Sequence, residues 1–164
     1  MQSLLKRYFG YDDFRPKQLE IINNILEKRD SLVLMPTGGG KSICFQIPSL
    51  KMDGLAIVIS PLISLMKDQV DNLNANGVPA AYINSSLTYR QMEEIKEKAR
   101  KNEIKLLYIA PERLALEPFK VFLMTLNINL IAIDEAHCIS EWGHNFRKEY
   151  RNLKNLKILL PNLP

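Results

Sequence analysis

An α/β fold, built as a mostly parallel β-sheet with helices on both faces, is predicted by two features of the 164-residue sequence. Short runs rich in Val, Ile and Leu recur along it, and longer amphipathic stretches separate them. That alternation of strand and helix builds parallel sheets through right-handed crossovers. Strands of such a sheet are buried on both faces, so they read as continuous apolar runs.

The first patterned stretch, 16–28, sets Leu19, Ile22, Ile25 and Leu26 on one helical face, and Pro16 suits a first helical turn. Four runs then read as strands, at 31–35, 55–60, 105–110 and 130–134, with 80–84 a weaker fifth. Helical patterns at 41–51, 62–76 and 88–102 lie between them. No repeat, low-complexity tract or linker interrupts this order, so one domain is expected over 1–164. In a sheet of this kind ligands bind beyond the carboxyl ends of the strands, and the chemistry is expected just after each run.

Hydrophobic residues make up 46% of the chain and charged residues 24%, which is globular rather than disordered usage. A formal charge of +4 and a pI near 9.0 suit a polyanionic partner without proving one. Cys44 and Cys138 are too few for a disulfide framework, and the start runs into charged residues rather than an export segment, so a reducing cytoplasm is expected. The longest apolar runs fall far short of the roughly 20 residues that span a bilayer.

Directly after the 31–35 run comes Met35-Pro36-Thr37-Gly38-Gly39-Gly40-Lys41-Ser42, leading into a helical pattern. Consecutive glycines let backbone N–H groups turn toward phosphate oxygens, and the start of a helix favours negative charge. Lys41 can reach the β and γ phosphates, and Ser42 can hold a magnesium ion. The strict phosphate-loop pattern places a further Gly where Met35 stands. A glycine triplet alone is more often a tight turn; the following Lys41-Ser42 after a strand favours a nucleotide site.

Asp134 and Glu135 end the 130–134 run, in the order Asp134-Glu135-Ala136-His137. Asp134 can complete a magnesium shell, and Glu135 can orient or deprotonate the water attacking a γ phosphate. Alone, such a pair is commonly a helix N-terminal charge pair. Together with the upstream loop it points to ATP hydrolysis, with Lys41, Asp134 and Glu135 as the catalytic candidates. His137, beside Glu135, is read as a link between the nucleotide and neighbouring loops.

Over nearly all its length the chain resembles the first RecA-like domain of RecQ-type DNA helicases, in helicase superfamily two. Besides the loop and the Asp134–His137 box, the resemblance rests on Phe9-Gly10-Tyr11, Phe14-Arg15-Pro16-Lys17-Gln18, Ser60-Pro61-Leu62-Ile63-Ser64-Leu65-Met66-Lys67-Asp68-Gln69 and Tyr108-Ile109-Ala110-Pro111-Glu112-Arg113. It implies a RecA-like phosphate-loop fold with ATP and Mg2+ as cofactors. Tyr11 would stack on the adenine, Gln18 would hydrogen-bond its edge and Arg15 would support the pocket. An amide offers both the donor and the acceptor that this edge needs. Phe9 and Phe14 are read instead as packing residues of the first helices.

The most specific match is the aromatic-rich stretch Cys138-Ile139-Ser140-Glu141-Trp142-Gly143-His144-Asn145-Phe146-Arg147-Lys148-Glu149-Tyr150. In the family this loop couples DNA binding to ATP hydrolysis. Trp142 and Phe146 can stack on unpaired bases, with Arg147 and His144 beside them. Glu141, Asn145 and Lys148 depart from the residues usual there. By resemblance Lys67, Gln69 and Arg113 are carried over as backbone contacts along the DNA path. His137, Cys138 and His144 lack the paired spacing of a zinc site, and no metal cluster is expected from them.

The resemblance implies 3′ to 5′ movement on DNA, in repair or recombination. The expected partners are single-stranded DNA, or a duplex with a single-stranded tail, and a second RecA-like domain. The zinc-binding and winged-helix regions of the family have no counterpart in these residues, and a membrane partner is not expected. The chain reads as a fragment whose ATP site is completed elsewhere. Other superfamily-two ATPases, such as RNA helicases, would share the nucleotide residues but not the Trp142–Arg147 loop. A nucleotide-switched binding module without turnover is the other reading.

Overall fold

The structure, a computed structural model, describes residues 1–36, 40–134, 154 and 156–164. Among these residues the sheet has four parallel strands: β1 (Leu55–Ile59), β2 (Ala80–Ile83), β3 (Leu106–Ile109) and β4 (Ile128–Ile133). They lie in the order β2-β3-β1-β4, so the chain crosses from β1 past β3 to β2, returns to β3 and then crosses to the other side of β1. The helices are α1 (Gln2–Phe9), α2 (Gln18–Leu26), α3 (Lys41–Lys51), α4 (Ile63–Ala75), α5 (Tyr89–Arg100) and α6 (Glu117–Met124), with a 3₁₀ turn at Pro111–Ala115.

Every β1 residue is buried, as the unbroken run Leu-Ala-Ile-Val-Ile requires of a central strand. Alternate side chains point to opposite faces. Leu55, Ile57 and Ile59, with Leu107 and Ile109 of β3, pack on Ala99 of α5 and Phe119, Phe122 and Leu123 of α6. Ala56 and Val58, with Leu106 and Tyr108, pack on Met66, Val70 and Leu73 of α4 and Ile25 of α2. Helices therefore cover both faces, as the alternation predicts. A third cluster of Leu5, Ile22 and Ile47 locks α1, α2 and α3 together.

Local signals set several helix ends. Gly10 closes α1 in the left-handed region at φ 76°, donating to the Lys6 carbonyl at 3.1 Å. Thr88 and Gln91 form a reciprocal cap on α5, with bonds of 3.2 and 2.9 Å. The sequence places α2 two residues too early. Lys17 adopts a left-handed backbone at φ 71°, which leaves Pro16 outside the helix and starts it at Gln18. Helices α1 and α6 and the 3₁₀ turn escape the sequence pattern because each is short, eight residues or fewer.

The strand expected at 31–35 does not form. Residues 31–36 make no strand pairing among the described residues, and Leu32 and Leu34 are 82% and 86% exposed. A strand buried on both faces needs a neighbouring ladder and two covering layers, and apolar composition supplies neither. On the outer edge of β4, the Ile131 N–H donates to the Pro164 carbonyl at 3.0 Å, so the 163–164 end lies there rather than 31–35. Truncation should separate the two situations. In urea denaturation, Leu107→Ala is expected to cost about 2–5 kcal/mol, whereas Leu34→Ala changes stability by less than about 0.5 kcal/mol.

Candidate functional site

A cleft of about 720 Å³ opens beyond the carboxyl ends of β1 and β4, within the roughly 300–1,000 Å³ typical of small-molecule sites. Three parts of the chain build it. Tyr11 and Arg15 come from the segment before α2 and Gln18 from its first turn, Gly40, Lys41 and Ser42 from the start of α3, and Asp134 from the end of β4. Leu62, Leu65 and Gln69 close the side formed by α4. The structure thus brings together the adenine, phosphate and metal candidates that the sequence leaves far apart.

Gln18 is the joint between the first two parts. It is 2% exposed, and its Oε1 accepts from the Arg15 N–H at 2.7 Å while its Nε2 donates to the Gly40 carbonyl at 3.0 Å. The left-handed turn at Lys17 aims it there, a conformation that a non-glycine residue holds only when its surroundings enforce it. A primary amide has one further N–H and one further lone pair beyond these two bonds. Tyr11 follows the Gly10 cap and is half exposed, with its ring on the cleft, whereas Phe9 and Phe14 pack into the cluster beneath.

Gly40 needs to be glycine for two reasons. Its φ of 81° lies in the left-handed region, and a Cβ there would collide with Gln18 Nε2. It precedes Lys41, where α3 begins with no side-chain cap, and the N–H groups at such a helix start favour an anionic ligand. One turn on, Cys44 is buried against this end of the helix, and burial pushes its thiol up from 9.0 to about 11. It behaves as a small hydrophobe, not as a nucleophile.

Asp134 is held by the last rung of the sheet, its N–H donating to the Ile59 carbonyl at 2.9 Å. Its Oδ2 accepts from Gln69 Nε2 at 3.4 Å. Behind it, Tyr108 is fully buried, and desolvation raises its phenol well above the usual range, opposed by a 3.3 Å hydrogen bond from Gln46.

The structure separates Lys67 from Gln69. Two residues apart on a helix, they point about 200° from one another. Lys67 is exposed and pairs with Asp71 at 2.7 Å, which raises its pKa, while Gln69 faces the cleft. The 3-then-4 spacing of Leu62, Leu65 and Gln69 is the signal that could have marked this face. Arg113 lies half-buried in the 3₁₀ turn after β3, away from the cleft lining. Thr37, Gly38, Gly39, Glu135, His137, Trp142, His144, Phe146 and Arg147 lie outside the described residues; Pro36 is exposed. Among the described residues no cluster of His, Cys, Asp and Glu forms a metal site, and no helix is long and apolar enough to cross a membrane.

A sequence profile of the DEAD/DEAH box helicases matches residues 15–163. The chain belongs to that family. This DEAD/DEAH domain is 52% identical over 162 residues to the ATP-dependent DNA helicase RecQ of Haemophilus influenzae, a match covering 99% of this chain and 26% of the relative. It is 53% identical to the RecQ of Bacillus subtilis, covering 94% and 26%. With the mouse bifunctional 3'-5' exonuclease/ATP-dependent helicase WRN it shares 45% identity over 99% of this chain and 12% of the relative. The chain therefore spans about a quarter of the length of the bacterial relatives.

Among solved structures, a hypothetical ATP-dependent RNA helicase from Sulfolobus tokodaii superposes with a TM-score of 0.69 at 21% identity, covering 98% of this chain and 46% of that one. At that identity the match establishes the fold of the DEAD/DEAH domain, the RecA-like α/β arrangement. The position of Gly40 can be tested directly. Gly40→Ala is expected to cost about 1–3 kcal/mol in urea denaturation, because it combines left-handed strain with displacement of Gln18. A loss below about 0.5 kcal/mol would mean that the Gln18 contact is not what closes this turn.

Proposed function

We propose that this DEAD/DEAH domain is the ATP-binding part of a RecQ-like DNA helicase motor that moves 3′ to 5′. The observation that carries the reading is the single cleft shared by Gln18, Lys41, Ser42 and Asp134. Those are the four chemistries that a magnesium nucleotide requires: an amide for the base, an ammonium for phosphate, and a hydroxyl and a carboxylate for a divalent cation. The cleft fits the cation on donor grounds, since Ser42 and Asp134 offer the hard oxygen ligands that magnesium prefers.

When bound, magnesium would neutralise charge developing on the phosphates. The chain's own residues do the rest. Tyr11 and Gln18 hold the base, the first turn of α3 and Lys41 cradle phosphate, and Glu135 orients water for in-line attack. Hydrolysis is mainly positioning, and in related phosphate-loop enzymes an arginine finger adds about 10³ to 10⁵ in rate, so turnover by this domain alone is expected to be slow. DNA is favoured over RNA as the substrate by the relatives at about half identity, which are DNA helicases. The Trp142, Phe146 and Arg147 stretch supplies aromatic faces and charge for unpaired bases. Lys67 and Arg113 are assigned to the phosphate path, and the setting is the cytoplasm.

Two measurements test this. ATP with saturating magnesium should raise the thermal midpoint of the chain, and Lys41→Ala should abolish that rise; a variant that is still stabilised would remove Lys41 from the site. Trp142 is the chain's single tryptophan, so its emission should change when single-stranded DNA binds at low salt. Binding seen by anisotropy of labelled DNA with unaltered tryptophan emission would take the loop out of the interface.

A further inference from the structure

The cleft contains a side chain that the nucleotide reading does not use. Gln69 sits on the inner face of α4, lines the cleft with Ser42 and Asp134, and donates from Nε2 to Asp134 Oδ2 at 3.4 Å. Its orientation is set by charge. An ionised carboxylate only accepts hydrogen bonds, so the amide must turn its nitrogen toward Asp134. The amide oxygen, Oε1, is buried and has no hydrogen-bond partner among the described residues. A buried amide oxygen without a donor is destabilising, and such an atom at a ligand cleft needs a reason.

We propose that Gln69 is a positioning residue for the divalent cation of the nucleotide site, a role resting on the nucleotide reading above. Its N–H group helps hold the Asp134 carboxylate in the cleft that Ser42 also lines. Its carbonyl oxygen, buried in the ligand-free cleft, would accept from a water held by the cation once the site is loaded. Magnesium usually keeps several of its waters, each a strong donor needing an acceptor, and outer residues that orient a ligating carboxylate tune metal affinity. The 3.4 Å separation is long for a charge-assisted bond, the state expected of a site whose hydrogen bonds tighten only when loaded.

The test is a magnesium titration of nucleotide-dependent thermal stabilisation, run on the parent chain, Gln69→Met and Gln69→Ala, beside binding of a fluorescent ATP analogue in excess chelator. Met keeps the length and bulk of the side chain and removes both hydrogen-bonding groups. The expected result is a magnesium requirement raised about 10- to 100-fold, with magnesium-free analogue binding and the ligand-free thermal midpoint at parent values. An unaltered magnesium requirement overturns the proposal. So does an equal loss of magnesium-free and magnesium-dependent binding, or unfolding of both variants, since either makes Gln69 a packing residue. If the parent chain itself binds no nucleotide, the nucleotide reading fails first and is identified by that result alone.

Discussion

The rung between the Asp134 N–H and the Ile59 carbonyl is the point on which the site depends. Parallel pairing of β4 with β1 brings the end of one strand level with the end of the other, and only there can a carboxylate from residue 134 face the start of α3. β1 can serve as this reference because it is fully buried and paired on both sides, by β3 and by β4. Its position is therefore over-determined by two ladders and two layers of side chains. The hydrophobic burial is non-directional, but the ladder converts it into a defined register.

The second constraint is backbone conformation at two sites close in space. Lys17 and Gly40 both occupy the left-handed region, and the amide of Gln18 spans the gap between the segments they terminate. Gly40 does so at no steric cost, whereas Lys17 is held there by the contacts of its neighbours. Through Gln18, the segment that carries Tyr11 and Arg15 is tied to the mouth of α3. The Tyr11 side and the α3 side of the cleft thereby share one hydrogen-bonded frame. The same logic extends across the cleft, where Gln69 ties α4 to Asp134.

Much of this was legible before any coordinates. The runs around 57, 82, 107 and 131 became strands, because continuous Val, Ile and Leu at that length have little alternative in an α/β chain. The helix at 41–51 was read to the residue, from a glycine entry followed by an amphipathic pattern. The run at 31–35 failed under the same rule, since its composition says nothing about whether a partner strand stands beside it. Lys67 and Gln69 were grouped because they are adjacent in a motif, and the helical twist sends them to opposite sides. The short helices α1 and α6 carry too few turns for periodicity to declare them.

By itself the sequence determined the class of fold, the identity of the phosphate and metal candidates and the order in which they occur, because these follow from local composition, glycine placement and spacing. The tertiary structure decided which of them meet. Gln18 reaches Gly40, Asp134 reaches Gln69 and residues 31–36 stay outside the sheet, and each outcome depends on hydrogen bonds between positions far apart in the chain. Such bonds are fixed by strand register and helix rotation, which no local pattern encodes.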